Sequence, residues 1–268
     1  MAAKIGIIGG SGFYSLLENP ERASVETRYG KPSDEIALGR MSGKEVAFLP
    51  RHGGGHAFAP HKVPYRANIE ALSRVGVERL ITSSAVGSLV AEYEPGDFVL
   101  FDQLVNMSHG REDTFFDSDR VAHVSTAEPY CPELRKIAAE AAGDLGLKCH
   151  DRGTVVVVNG PRFSTKAESR FFAGQGFHVI NMTQYPEMAL AREKEMCYLG
   201  IGLVTDYDSG LAGRPDIRHV TFDEVNRIFA SRTGDLKRLI PEIISRIPEE
   251  RKSCKCGEAL KGAFVGPQ

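Results

Sequence analysis

The sequence predicts a single α/β domain with a central mixed β-sheet flanked by helices. Short apolar runs rich in β-branched residues alternate with helical patterns along the chain, and this alternation is typical of α/β folds. The apolar runs are continuous, as expected for strands that are buried on both faces. With 268 residues, 42% hydrophobic and 25% charged, the chain has the length and composition of one globular domain.

The apolar runs predict seven strands, in the order in which the chain forms them. They are Lys4–Ile8, Glu45–Leu49, Arg79–Thr82, Asp97–Phe101, Thr154–Val158, Val179–Met182 and Tyr198–Thr205.

Five helices are predicted between and after these strands. They are Tyr65–Val75, Pro132–Leu145, Thr165–Phe172, Tyr185–Glu195 and Thr221–Ile247. The spacing of Thr221 and Glu224 predicts a capping box at the start of the last helix. Pro241 predicts that the same helix is broken or kinked.

The composition changes near the C-terminus, where a charged segment is followed by Cys254-Lys-Cys256. We therefore divide the chain into a main domain, 1–250, and a C-terminal tail, 251–268. An odd count of five cysteines in a chain of this length does not indicate a secreted disulfide framework, and zinc ribbons require two Cys-x-x-Cys pairs, which are absent, so no metal site is predicted. The two tail cysteines are either unrelated thiols or a strained disulfide or redox pair.

The charge pattern excludes several classes of protein. The net charge of -2 lacks the basic footprint of a nucleic-acid binder or of a protein that binds anionic membranes. No apolar run approaches the roughly 18 residues of a membrane helix, and the N-terminus breaks at a glycine cluster too early for a signal peptide. We expect a cytoplasmic protein without nucleic-acid or membrane partners.

Three polar loops follow predicted strands and predict an anion site. Gly9-Gly-Ser-Gly12 offers backbone N–H groups and the Ser11 hydroxyl, and Pro50–His56 offers Arg51, which suits bidentate contact with phosphate. His52 and His56 have the spacing of a helical metal pair, but the three glycines between them disfavour a helix. The third loop, within Ile81–Ser88, adds small hydroxyl residues. Because ligands in α/β sheets bind outside the carboxyl ends of strands, the three loops together favour a phosphate or phosphoester.

Two further loops carry candidate chemistry. Phe163 and Ser164 follow a strand, where an aromatic ring can stack on a planar ligand; the alternative is a turn with a core Phe. Asp206 and Asp208 are two residues apart, so both face one side of an extended chain. Like charges at this separation raise one pKa, which suits a general acid near neutral pH. The alternatives are a polar loop or a pair of metal-binding carboxylates.

Together these motifs resemble the trimeric class of purine nucleoside phosphorylases, in order from about residue 4 to about residue 247. The motifs of the class are Ile5–Gly12, Leu49–His52, His61–Asn68, Ala85–Ser88 and Pro95–Asp97. Those that resemble the members acting on 5′-methylthioadenosine are Ala127–Pro132, Gly160–Thr165, Asn181–Thr183, Pro186–Glu187 and Thr205–Asp208.

The resemblance implies a nucleoside phosphorylase-like fold and the phosphorolysis of 5′-methylthioadenosine to adenine and 5-methylthioribose 1-phosphate. It implies no cofactor or metal, inorganic phosphate as co-substrate, and a homo-oligomer that is a trimer or a dimer of trimers. Two alternatives stay open: a purine nucleoside or 5′-methylthioinosine phosphorylase of the same family, and a nucleotide-binding protein without turnover. The paired carboxylates argue against the second alternative and favour a 6-amino purine, whose exocyclic nitrogen donates hydrogen bonds.

The resemblance also implies roles for individual residues. The phosphate ligands are Ser11, Arg51, His52, Ser84, Ala85 through its backbone, and Thr183. The residues that bind the nucleoside are His56, Phe163, Ser164, Met182, Asp206, Asp208, Phe222 and, from a neighbouring subunit, His123. The catalytic set is Asp206, Asp208, Ser84 and Thr183, with Asp206 at the departing purine. Met182 is expected against the ribose, and Phe222 in the pocket for the 5′ group.

Overall fold

One mixed β-sheet of eleven strands organises the residues that a computed structural model describes, which are 3–9, 17–118, 120–211, 214, 216–217 and 219–265. The strands are β1 (Ile5–Gly9), β2 (Glu18–Ala23), β3 (Ile36–Met41), β4 (Lys44–Pro50), β5 (Arg79–Ser88), β6 (Phe98–Leu100), β7 (Gln103–Asn106), β8 (Cys149–His150), β9 (Thr154–Val157), β10 (Val179–Asn181) and β11 (Cys197–Asp206). The helices are α1 (Tyr65–Arg74), α2 (Pro132–Asp144), α3 (Lys166–Gly174), α4 (Gln184–Glu193) and α5 (Phe222–Arg246).

Strand β5 is the centre of the sheet, because three strands pair with it. The main order is β2-β3-β4-β1-β5-β10-β9-β7, and β11 pairs with β5 and with β6, which pairs with β8. The four strands β1, β4, β5 and β11 are parallel along the pairs β1–β4, β1–β5 and β5–β11. Their carboxyl ends therefore meet at one edge of the sheet, where the predicted loop Pro50–His56 follows β4. Residues 10–12 of the first predicted loop lie outside the described residues.

Helices cover both faces of the sheet. On one face, Ile69 of α1 and Leu190 of α4 share a core cluster with Ile8 of β1. On the other face, Leu134 of α2 and Ile243 of α5 pack in a cluster that includes Ile7. Ile7 and Ile8 point to opposite faces because side chains alternate along a strand, and both are fully buried. The predicted α/β fold with a central mixed sheet is confirmed.

All seven predicted strands and all five predicted helices are present, and their ends lie close to the predicted ones with one exception. Strand β5 was predicted to end at Thr82 but continues to Ser88, so the segment Ile81–Ser88 is not a loop after the strand but part of it. Four strands were not predicted: β2, β3, β7 and β8. Strand β2 is an exposed edge strand with the sequence ENPERA, so it has no apolar run to detect. Strand β8 has only two residues.

Helix α5 differs from the prediction in two respects. Helix α5 continues through Pro241 to Arg246, so the expected break does not occur. The Thr221 hydroxyl accepts a hydrogen bond from the backbone N–H of Glu224, which is only half of a capping box. The complete box is at α3, where Thr165 and Glu168 each bond the other's backbone.

The C-terminal segment packs on the main body. The backbone N–H groups of Lys252 and Ser253 donate to Glu133 at the start of α2, and that of Leu260 donates to Glu195. Cys256 is buried. The division of the chain at residue 250 stays a prediction. Among the described helices, none combines the length and the apolar character needed to cross a membrane.

Candidate active site

Arg51 follows β4 and is fixed by a buried salt bridge to Glu187 of α4. Its Nε and Nη2 atoms donate to the two carboxylate oxygens at 2.7 and 2.8 Å, and Nη1 donates to the carbonyl of Ser83 at 2.9 Å. Burial disfavours the charged guanidinium, but the Glu187 carboxylate holds the pKa of Arg51 above its ordinary value. Nη1 and Nη2 each carry a second N–H that these three bonds leave available.

His52 is a neutral imidazole whose tautomer is set by its neighbour. Its Nδ1 lies 2.8 Å from the carbonyl oxygen of Phe58, which can only accept, so Nδ1 carries the hydrogen. Burial, assisted by the charge of Arg51, lowers the pKa of His52 to about 4. The Nε2 atom is thus an acceptor at neutral pH. The exposed ring of His56 stacks on His52 with centroids 4.3 Å apart.

Asn181 at the end of β10 organises a cluster of hydroxyl groups. Its Nδ2 donates to Ser84 Oγ at 2.9 Å, and its Oδ1 accepts from the backbone N–H groups of Thr183 and Gln184. Because Ser84 accepts from Asn181, its own hydroxyl hydrogen is left to donate elsewhere. Among the described residues, the buried hydroxyls of Thr183 and Ser83 have no hydrogen-bond partner. Buried polar groups without partners are expensive, which points to a polar ligand.

Asp206 is the last residue of β11, next to β5. Its Oδ2 accepts from the Thr205 hydroxyl at 2.7 Å and its Oδ1 from the Asp208 backbone N–H at 2.8 Å. The residue is 7% exposed. Burial raises the pKa of Asp206 to about 7 although both hydrogen bonds favour the carboxylate. Gly87 of β5 makes room for it, since a Cβ there would lie 2.9 Å from Oδ1.

Asp208 is buried beside Asp206, and burial raises its pKa also. Its backbone has a φ of 47°, in the left-handed region that few non-glycine residues adopt. The carboxylate faces the hydroxyls of Ser164 and Ser169, and its Oδ2 has no hydrogen-bond partner in the part of the chain that is described. A strained backbone that holds an unpaired carboxylate oxygen is typical of a ligand-binding position.

The loop after β9 lies against the same edge. A Cβ at Gly160 would lie 2.6 Å from Met182 Sδ, so this loop packs directly on Met182. The Ser209 hydroxyl donates to the carbonyl of Ser164. A cavity of about 200 Å³ opens beside Gly160 and Ser164. Phe163 is exposed at this loop. The structure thus joins the Gly160–Ser164 loop to the Asp206–Asp208 segment.

Three predicted residues stand apart from this set. Phe222 is 62% exposed at the first position of α5, close in sequence to Val220, whose N–H donates to the carbonyl of Asp208. His123 is exposed, and its backbone N–H donates to Ala263 in the C-terminal segment at 2.8 Å. Ser11 lies outside the described residues.

Comparison with known proteins decides the family. Residues 4–244 match the profile of the phosphorylase superfamily. The chain belongs to the phosphorylase superfamily.

Similar members of this superfamily cover nearly the whole chain. The S-methyl-5′-thioadenosine phosphorylase of Thermofilum pendens is 52% identical, over 98% of this chain and 98% of that protein. The 6-oxopurine nucleoside phosphorylase of Pyrococcus furiosus is 47% identical, over 97% and 98% respectively. A crystal structure of a methylthioadenosine phosphorylase from an Antarctic soil metagenomic library is 40% identical with a TM-score of 0.92, and the match covers 99% of this chain and 93% of that one. The resemblance noted from the motifs is confirmed.

Three residues at this phosphorylase-superfamily site were given no role from the sequence. Glu187 holds Arg51, Asn181 orders the hydroxyl cluster, and Ser83 adds a buried hydroxyl. Asn181 and Glu187 lie within the motifs quoted above, and Ser83 lies next to Ser84. Position in or beside a motif was therefore the only feature of the sequence that could have pointed to these residues. Arg51 and Glu187 are 136 positions apart, and one sequence carries no pairing signal at that distance.

Proposed function

We propose that this protein catalyses the phosphorolysis of 5′-methylthioadenosine to adenine and 5-methylthioribose 1-phosphate. The observation that carries the proposal is the buried Asp206, whose pKa of about 7 leaves much of the carboxyl group protonated near neutral pH. A protonated carboxyl group can act as general acid for a departing purine. The activity named for the 52% identical relative supports the same substrate.

The bond changes follow from a sugar that develops positive charge. An oxygen of hydrogen phosphate forms a bond to C1′ while the C1′–N9 bond breaks. The electron pair of the C1′–N9 bond passes to the purine. Asp206 then gives its proton to a nitrogen of the five-membered ring, so adenine leaves as a neutral molecule. The protein contributes position and electrostatic stabilisation, with no covalent intermediate on the enzyme.

The phosphate is proposed to lie among Arg51, His52, Ser84 and Thr183, with Ser11 and the Ala85 backbone completing the site. The free hydroxyl hydrogens of Ser84 and Thr183 donate to phosphate oxygens, as do the two unused N–H groups of Arg51. The Nε2 atom of His52 accepts a hydrogen bond from the P–O–H group and keeps no proton, because its pKa is about 4. Once the bond to C1′ has formed, the proton of the phosphate ester passes to solvent. It balances the proton that adenine gains from Asp206, and Asp206 takes up a new proton from solvent.

The base and the sugar are proposed to contact the remaining residues. The carboxylate of Asp208 accepts from the 6-amino group of adenine, Phe163 and Ser164 flank the ring, and His56 lies beside the nucleoside. Met182 packs on the ribose, and Phe222 lines the 5′ pocket. A 6-oxo purine fits less well, because it would place an acceptor against the Asp208 carboxylate. Phosphorolysis of 6-oxopurine nucleosides remains the alternative function, because a relative with that named activity is 47% identical to this chain.

We further propose a homo-oligomer, either a trimer or a dimer of trimers, in the cytoplasm, without nucleic-acid or membrane partners. In it, His123 reaches the site of a neighbouring subunit. The exposure of Phe163 and Phe222 in a single chain supports a site that a second subunit covers. The reaction needs phosphate as co-substrate and no cofactor, since Asp206 supplies the proton. Residues 1–250 form the catalytic domain in this proposal, and 251–268 form a tail.

The direct test is release of base in the presence and absence of phosphate, with 5′-methylthioadenosine, adenosine, inosine and 5′-methylthioinosine at one phosphate concentration. We expect phosphate-dependent release of adenine, fastest from 5′-methylthioadenosine. A higher kcat/KM for inosine would assign the protein to the 6-oxo alternative. Binding of nucleoside without release of any base would contradict an enzymatic function.

A further inference from the structure

Four of the five cysteines meet at one point, although they come from three distant segments. Cys131 precedes α2, Cys197 is the first residue of β11, and Cys254 and Cys256 lie in the C-terminal segment. The four Sγ atoms all lie within 4.8 Å of one another, and the Cys197 and Cys254 sulfurs are 3.5 Å apart. All five cysteines are free thiols.

We propose that Cys131, Cys197, Cys254 and Cys256 form a tetrathiolate site that binds one zinc ion. Zinc–sulfur bonds of about 2.3 Å place the sulfurs of a tetrahedron about 3.8 Å apart, so the observed sulfurs need to move by less than about 1 Å. Four thiols lose their protons as the ion binds, and four Zn–S bonds form without any change in oxidation state.

Paired disulfides fit this arrangement less well. A disulfide needs about 2.05 Å between its sulfurs, so the Cys197–Cys254 pair at 3.5 Å would have to close by about 1.5 Å. The most local pair, Cys254 with Cys256, would close a very small and strained ring. A metal ion uses all four sulfurs at once, whereas disulfides must choose one of three pairings.

The surroundings suit a structural metal site. Cys131, Cys197 and Cys256 are buried, as in closed zinc sites. Four thiolates around Zn²⁺ leave a net charge of -2, and the guanidinium of Arg251 lies close enough to Cys197 and Cys254 to interact with their charge. Its Nη2 is fixed by the carbonyls of Glu78 and Glu195.

Gly257 is the position that admits this arginine. A Cβ at Gly257 would lie 1.9 Å from Nη1 of Arg251, so any side chain there would displace the guanidinium. Glycine at position 257 thus leaves the space that the Arg251 guanidinium occupies beside the cysteines. The site also lies at the N-terminus of α2, whose partial positive charge favours a thiolate at Cys131.

The proposed ion would anchor the C-terminal segment to α2 and to β11. Beyond the cysteines, this segment pairs with residues 121–123: Phe264 bridges Ala122, and Ala263 accepts from the N–H of His123. A metal at the cysteines therefore helps to hold the segment 121–123, which carries His123. The zinc site does not depend on the proposed reaction. Only an effect of zinc on substrate binding through His123 would depend on it.

The test measures zinc in the full-length protein, expressed with added zinc and purified under reducing conditions without chelators. Mass spectrometry of the metals should find about one zinc per chain in the wild type and in the matched control Cys149→Ser, since Cys149 lies outside the cluster. Cys254 is the half-buried member of the set, and the Cys254→Ser variant should contain at least tenfold less zinc per chain than the wild type. Cobalt in place of zinc should give the visible absorption of a tetrahedral thiolate site.

Alkylation of a second preparation, purified and denatured without any reductant, counts the free thiols independently. Five alkylated cysteines together with one zinc would support the site. One alkylated cysteine, which means two disulfides, would overturn it, and so would five alkylated cysteines without bound zinc. Full zinc occupancy in Cys254→Ser would also overturn it. The wild-type measurements decide the matter even if a variant does not fold.

Discussion

Arg51 and Glu187 form a bidentate salt bridge, with N–O distances of 2.7 and 2.8 Å, and both side chains are almost fully excluded from solvent. The bridge ties the loop after β4 to α4 and fixes the guanidinium at the sheet edge where the phosphate is proposed to bind. Arg51 thus belongs to the core and to the proposed site at the same time. Its substitution should have two separable effects.

Arg51→Ala is expected to reduce both stability and phosphate use. It leaves the Glu187 charge buried and unpaired, which costs about 3–5 kcal/mol in the free energy of unfolding. The double variant Arg51→Met with Glu187→Met removes both charges, so denaturant unfolding should show most of the stability restored. Phosphate KM should remain high in the double variant. If the double variant regained both the stability and the phosphate KM of the wild type, the role of Arg51 would be purely structural.

Asp206→Ala should lower turnover of 5′-methylthioadenosine by about 10²-fold or more, because a positioned general acid is lost. In the wild type, kcat/KM should fall as pH rises through about 7, where Asp206 loses its proton. Asp206→Asn should lack that limb of the profile and shift preference towards 6-oxo nucleosides. Near wild-type turnover in Asp206→Ala would contradict the assigned role.

The same carboxyl group predicts a pH-dependent cost in stability. Its pKa is raised to about 7 in the folded protein, whereas an unfolded Asp titrates near 3.9, so stability falls as pH rises between these values. The loss amounts to about 2–4 kcal/mol above pH 7. Asp206→Asn carries no charge, so its melting temperature should exceed that of the wild type at pH 8 but not at pH 4. Equal differences at both pH values would count against a perturbed Asp206.

Thr183 allows binding to be separated from stability. Its buried hydroxyl has no partner among the described residues, so Thr183→Ala should cost little stability without phosphate. Phosphate KM should rise about tenfold or more, because a hydrogen bond to a charged group contributes about 1.5–3 kcal/mol. Thr183→Ser retains the hydroxyl and should stay near wild type. Kinetics at varied phosphate measure both variants, and equal phosphate KM in all three proteins would remove Thr183 from the site.

Phe222 should set the preference at the 5′ position. A ring favours a methylthio group by about 0.3–1.5 kcal/mol and leaves a 5′-hydroxyl without a partner, so we expect kcat/KM for 5′-methylthioadenosine to exceed that for adenosine by about tenfold or more. Phe222→His should narrow this ratio. Because Phe222 is 62% exposed, the variant should fold normally. Phe171→His on α3, at a side chain 52% exposed, is the matched control and should leave the ratio unchanged.

Much of the fold follows from local patterns. The strands β1, β4, β5 and β11 are continuous apolar runs, and burial on both faces gives that pattern directly. The exposed edge strand β2 has no such run, because its pairing with β3 comes from backbone hydrogen bonds and not from side-chain burial. The continuation of α5 through Pro241 also depends on packing, since Leu239, Ile240, Ile243 and Ile244 are buried around it.

The sequence by itself determined the fold class, the loop that follows β4 and the residue types of the proposed site, because periodicity, glycine turns and motif order are local properties. Only the tertiary structure decided that Arg51 pairs with Glu187, that Asp206 has a pKa of about 7, and that four cysteines meet. The physical reason is that each of these depends on removal from water or on contact between distant segments. Desolvation and distance are set by how β5, β11, α4 and the C-terminal segment pack together, and a single sequence does not contain that packing explicitly.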